Sequence, residues 1–315
     1  MDNTLPLANT VEVGLMAGFV SHGHLVDTVG LLDHSEFDSL WVGDHIAFTS
    51  PIFDPLLQLA QAAALSPRLK VGTAIYLLPL RPPAIAAKQA ASLDHLTDGR
   101  FVFGLGVGGE FPSEFEACGV PVGKRGARLA EGIDVMRMLW RGEPCSYEGE
   151  FTSFKDVHMQ PGTLTAGGPS IWCGGRSKSA LSRIGRMADG WISYVVTPEQ
   201  YSEGLDTIVK GAADVGRQLS SLGTAHLQFV RFGDSREQAL DDASSILSKR
   251  YAMDFRRAAE RYCALGTPDE VLAYLKPFYT AGVRTFILDF LGSAEEQAAQ
   301  LERFAADVLP ALRAM

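Results

Sequence analysis

The chain has 315 residues, with 28 Lys plus Arg against 37 Asp plus Glu and a formal net charge of -9. That balance excludes the basic surface that non-specific nucleic-acid binding or adhesion to an anionic membrane needs. With 46% hydrophobic and 21% charged residues, disorder is excluded as well, and the length suits one α/β barrel domain over 1–315.

Apolar runs and helical segments alternate along the whole chain. Val11 to Ala17 reads as a first strand, Leu25 to Phe37 as a helix, and Ser39 to Val42 as a second strand. Leu56 to Leu65 is a helix, and Leu69 to Ile75 a third strand behind a Ser66-Pro67 boundary. Pro82 to Leu96 follows as a helix with proline in its first turn. Arg100 to Leu105 is a fourth strand, and Arg125 to Trp140 an amphipathic helix with Leu129, Ile133, Met136 and Leu139 on one face. Cys145 to Phe154 alternates around Gly149 like a hairpin outside the main pattern.

A fifth strand, Ser170 to Cys173, leads into a helix from Ser177 to Met187. Asp189 to Tyr194 is a sixth strand and Pro198 to Ala213 a helix. Ala225 to Arg231 is a seventh strand, followed by helices at Ser235 to Leu247 and Thr267 to Thr280. The second of these opens on the strong start signal Thr267-Pro268-Asp269-Glu270. Arg284 to Phe290 is the eighth strand, and Glu295 to Leu312 closes the chain as a helix. Eight strands, most followed by a helix, predict a parallel sheet closed into a (β/α)8 TIM barrel, with insertions at 106–124, 142–169 and 249–266.

Cys118, Cys145, Cys173 and Cys263 are scattered and form no Cys-x-x-Cys pair, which reads as reduced thiols. The start, Met1-Asp2-Asn3-Thr4, lacks the basic region of an export signal, and no apolar run reaches the roughly 18 residues of a membrane span. A cytoplasmic location is the expectation.

In such a barrel the chemistry sits where strands end. After strand five, Gly174-Gly175-Arg176-Ser177 offers close backbone approach, a helix start with its positive dipole end, a cation and a hydroxyl. Either a phosphate cradle or an ordinary tight turn fits that run. The glycine run after strand four, Gly104 to Gly109, either lets a flat ring lie on backbone or is simply a flexible loop. Asp44-His45 after strand two is the sharpest acid/base candidate, because histidine titrates near neutral pH. His22-x-His24 with Asp289 resembles part of the ligand set of a metal-dependent, amidohydrolase-type barrel. Strands five and six add no histidine and strand four no lysine, so no metal site is expected. Phe19, Phe48, Phe53 and Tyr76 suggest an apolar mouth for a hydrophobic molecule, and they are equally suited to packing on a coenzyme or at a dimer interface.

Several segments together resemble the bacterial luciferase-like monooxygenase superfamily of flavin- and F420-dependent oxidoreductases. They are Phe37 to His45, Lys70 to Thr73, Leu78 to Pro83, Ala87 to Arg100, Gly104 to Gly108, Glu114 to Pro121, Arg125-Gly126, Ile171 to Ser177 and Ala188 to Trp191. The resemblance covers residues 11–194 and fades after 200. It implies an α/β barrel, usually a homodimer, that binds FMN or the deazaflavin coenzyme F420. The cofactor contacts it implies are Asp44, Thr73, Ala74, Ile75, Gly106, Val107, Gly174, Gly175, Arg176 and Ser177, with the phosphate on the last four. It also implies a non-prolyl cis peptide at Ala74-Ile75, serving as a bulge under the ring, and His45 as the active-site histidine. The arginine that luciferase places near Val107 is absent, and the run around Glu110 looks more like the deazaflavin enzymes. The expected activity is therefore F420-dependent hydride transfer with His45 and Glu110 moving the proton. The alternative is an FMNH2-dependent two-component monooxygenase served by a flavin reductase.

Overall fold

The computed structural model describes residues 5–315. Met1 to Thr4, read above as the wrong start for an export signal, lies outside them. Eight parallel strands pair side by side: β1 (Glu12–Ala17), β2 (Ser39–Val42), β3 (Lys70–Thr73), β4 (Phe101–Gly106), β5 (Ser170–Gly174), β6 (Gly190–Tyr194), β7 (Gly223–Phe232) and β8 (Thr285–Phe290). Pairing of β8 with β1, in register from Glu12 opposite Thr285, closes the ring into a (β/α)8 barrel. The predicted hairpin forms outside the ring, as Cys145–Glu148 antiparallel to Ser153–Val157.

Side chains alternate between the helical jacket and the barrel interior, as the pleat requires. Trp41 and Trp172 fill the floor, their rings 5.5 Å apart. Room for two indoles comes from glycine on the neighbouring strands: Gly14 and Gly72 lie against Trp41, and Gly190 and Gly223 against Trp172. Met16, Ile192, Ala225 and Ile287 complete the interior. The barrel is thus a packed core, and its chemistry is confined to the carboxyl-terminal rim.

Three local readings change. The first helix starts at His22, not Leu25, because Ser21 caps it by accepting the His24 N–H at 3.2 Å. The last predicted helix is two, Ala294–Asp307 and Leu309–Arg313, since Pro310 brings no N–H to continue the ladder. The insertion at 249–266 holds a helix, Arg256–Tyr262, and a further strand on the ring's edge, Cys263–Gly266. β7 is long enough to serve two partners there: Gly223 to Leu227 pairs with β6, and Phe229 to Phe232 with the extra strand. The start of the helix at Pro268 is as read, a capping box between Thr267 and Glu270. Cys173 and Cys263 are buried, and burial pushes both thiols up to about 12. Among the described residues no helix is long and apolar enough to cross a membrane.

Candidate active site at the barrel mouth

His45 follows β2, and its partner is not Asp44. The Asp44 carboxylate turns away into the structure, where it accepts from Arg81 at 2.6 and 2.9 Å and from the Leu77 N–H at 2.8 Å. Burial pushes this carboxyl above its ordinary range, while the hydrogen bonds and charge of Arg81 pull it back down. Arg81 in turn lies over the Tyr76 ring at 4.3 Å. Asp44 is therefore a brace for the loop after β2, and the expectation of a direct cofactor contact from it meets a carboxylate already engaged by protein groups.

The group that faces His45 is Glu114, from a short helix at Pro112–Ala117 in the 106–124 insertion. Its side chain is 1% exposed against 21% for His45. One carboxylate oxygen accepts the backbone N–H groups of Ile46 (2.6 Å) and Ala47 (3.1 Å), and the other lies 3.1 Å from His45 Nδ1. A carboxylate can only accept, so Nδ1 carries the proton and Nε2 is left as the ring's acceptor. Phe48 stacks on the imidazole at 4.1 Å, and Phe111 meets it edge-on at 5.4 Å.

The peptide bond Ala74-Ile75 is cis, at the position the resemblance implied. Thr73 Oγ1 donates to the Gly104 carbonyl at 2.6 Å and is buried. A methyl group on Gly104 would overlap the Thr73 carbonyl oxygen, and one on Gly106 would overlap the Ile75 side chain, which also lies against Gly174. This adds a third reading of the glycine run to a surface for a ring and a flexible loop. Gly104 and Gly106 make room for the protein's own bulge, and Ile75 rises from it as a shoulder between β4 and β5. Val107 is half-buried beside it. Gly108 and Gly109, at φ 58° and 108°, then turn the chain.

That turn sends Glu110 and Phe111 in different directions. Phe111 goes to His45, whereas Glu110 is exposed and accepts a bond from the Tyr194 hydroxyl at 3.3 Å. Glu110 therefore does not join His45 as a proton relay. Burial and the Glu110 charge push the Tyr194 phenol up to about 12, so it remains a donor.

At the end of β5, Gly175 adopts φ 144° and Ser177 caps the helix Lys178–Met187, accepting the Ala180 N–H at 3.3 Å. The first amide groups of that helix have no intrahelical acceptor. Around them stand the exposed Arg176, Ser177 and Ser179, the two hydroxyls 3.2 Å apart. A cleft of about 640 Å³ opens beside the turn, lined by Arg176, Lys178, Trp191, Val195 and Tyr262 among others. Donors, a cation and a helix dipole of the right sign fit an anionic group such as a flavin phosphate.

Another part of the same rim carries Asp289, at the end of β8, which accepts from Arg250 at 2.6 Å; the Arg250 carbonyl accepts from Thr49, tying this part to the loop after β2. Asp289 is thus engaged by a cation, and His22 and His24 lie in the first turn of a helix, His22 exposed. The partial metal set of an amidohydrolase-type barrel is not brought together, and among the described residues no group of three or more His, Cys, Asp or Glu could hold a metal ion. Phe19 and Tyr76, expected at the mouth, belong to the core at 0% and 1% exposure; Phe48 and Phe53 reach the surface. His226 is buried against Phe278 and Ser193, and burial pulls its imidazole down to about 3.

A model of the luciferase-like monooxygenase family matches residues 7–308. The chain belongs to that family. Within it, the chain is 33% identical over 220 residues to 4-hydroxyprotoasukamycin monooxygenase of Streptomyces nodosus subsp. asukaensis, covering 67% of this chain and 59% of that relative. The match thus spans less than two thirds of that protein's length. It is 26% identical over 332 residues to the F420-dependent glucose-6-phosphate dehydrogenase of Rhodococcus hoagii (strain 103S), covering 97% of this chain and 94% of the relative. Its fold is that of monooxygenase RslO1 from Streptomyces bottropensis, with TM-score 0.82 at 24% identity over 96% of this chain and 99% of that one. In this luciferase-like barrel, the partner that sequence reading missed is Glu114. It stood inside a quoted motif, but nothing in a separation of 69 residues signals contact with His45.

Proposed function

We propose that the protein is an F420-dependent oxidoreductase that transfers hydride to or from a small organic molecule at the barrel mouth. The observation that carries this reading is the arrangement of three features on one rim: the Ile75 shoulder, the Gly174 to Ser177 turn, and His45 held by Glu114. Gly175, Arg176 and Ser177 would hold the phosphate, and Ile75 would support the ring. Bound, the deazaflavin supplies a two-electron centre that accepts or donates hydride. His45 accepts or delivers a proton at Nε2, while Glu114 fixes the tautomer and steadies the imidazolium. Phe48 and Phe111 keep water off the imidazole and favour an apolar substrate.

The near full-length match to an F420-dependent dehydrogenase supports the deazaflavin. The 33% match to a monooxygenase supports a second reading, with FMNH2 supplied by a flavin reductase. The protein would act as a homodimer in either case. Titration of the protein with F420, FMN and FMNH2, followed by fluorescence, separates the two. Binding of F420 at micromolar concentration or below, with weak FMN and FMNH2, is expected. Preference for FMNH2 would replace the first reading with the second.

A further inference from the structure

We infer that Trp191 is a positioning residue for the phosphate turn. The inference rests on the proposed cofactor site and adds a residue that is not among its proposed cofactor contacts. Trp191 is on β6 and points out of the barrel into the helical jacket, 1% exposed. Its indole stacks on Tyr201 at 4.5 Å with planes 17° apart. Gly204, one helical turn further on, lies flat against the ring, where a methyl group would overlap it. Stacking on Tyr201 and contact with Gly204 hold the ring in place, and with it the direction of its one donor.

That donor, Nε1–H, reaches the Gly175 carbonyl oxygen at 2.8 Å. The bond matters because of what Gly175 is. At φ 144° it occupies backbone space that other residues rarely adopt, and with no Cβ it does nothing by itself to fix the next peptide plane. The Gly175-Arg176 peptide is trans, and in a trans plane C=O and N–H point in opposite directions. Holding the carbonyl inward on the indole aims the Arg176 N–H outward, on the side where Arg176, Ser177 and Ser179 are exposed. Trp191 thus orients an amide donor toward the anion without touching it.

The test compares FMN with riboflavin, and F420 with the same deazaflavin lacking its phosphate, in wild type and Trp191→Phe. Phenylalanine keeps an aromatic face on Tyr201 and removes the N–H together with part of the indole. The phosphate-bearing form that wild type prefers should bind about tenfold more weakly to the variant, the equivalent of one lost hydrogen bond. The phosphate-free form should bind equally to both proteins, and a fall in melting temperature reports the lost indole volume and not the lost N–H. Equal weakening of both forms would mean that Trp191 acts only through packing and would overturn the inference, as would unchanged affinity. If wild type shows no preference for phosphate at all, the proposed cofactor site fails and takes this inference with it. Wild-type protein gives an answer that needs no variant: the Arg176 amide proton should move downfield with the preferred phosphate form and not with its phosphate-free counterpart. An amide that stays put contradicts the assignment.

Discussion

Turnover falls by about 10²- to 10⁴-fold when His45 is replaced by alanine, with the cofactor still bound. The expectation follows from the way the imidazole is held. Glu114 is buried and fully committed to Nδ1 and to two backbone amides of the same loop. That commitment leaves one tautomer, with Nε2 free to exchange a proton. Glu114→Gln keeps the shape but replaces one acceptor oxygen with an NH2 group, which cannot satisfy the donors arrayed there. It should cost turnover as well, by less than loss of the imidazole. Steady-state kinetics beside a cofactor titration checks both variants. Wild-type turnover in His45→Ala would remove the histidine from the chemistry. Glu110→Gln, by contrast, should leave the proton transfer largely intact, because Glu110 is tied to Tyr194 and not to His45.

Arg81→Met should destabilise the protein by about 3–5 kcal/mol, because it leaves the Asp44 charge buried with only the Leu77 N–H and no cation. The loss should depend on pH in a definite direction. Burial already raises the Asp44 carboxyl above its ordinary value, and Arg81 is the main force pulling it back. Without Arg81 the folded-state value rises further above the unfolded one. At low pH both states carry the proton and the penalty is absent. As pH climbs past the ordinary carboxylate range, the unfolded chain releases its proton while the folded chain does not, so stability falls until the folded-state value is passed. Denaturant midpoints for Arg81→Met should therefore be higher near pH 5 than near pH 8. A variant equally stable at both would mean that Asp44 finds another partner. Asp44→Asn combined with Arg81→Met should recover part of the loss, since the uncompensated charge is then gone.

The two variants also show what sequence could and could not reveal. The eight barrel strands were legible because each is a short apolar run bounded by its own turn signals, and Thr267 with Glu270 marks a helix start within four residues. The cis bond at Ala74-Ile75 and the turn at Gly174 to Ser177 were reachable through family motifs that are local in the chain. The pairings of the site were not. Adjacent in sequence, Asp44 and His45 look like a dyad, yet their side chains diverge to Arg81 and Glu114. Glycines posed a different difficulty. Gly104 and Gly106 look the same in sequence whether the space they leave is taken by a ligand or by Thr73 and Ile75. The edge strand Cys263–Gly266 escaped notice because four buried apolar residues carry no alternation, and the length of β7 is what gives it a partner.

A crystal structure of the protein soaked with F420, and separately with FMN, asks the decisive question of where such a molecule goes. Density for the phosphate within hydrogen-bond reach of the Arg176 and Ser177 groups, the ring resting on Ile75 and its reactive face toward His45, is the outcome expected. Cofactor density elsewhere, or a Gly174 to Ser177 turn closed against the ligand in both crystals, would contradict the assignment of this rim as the active site.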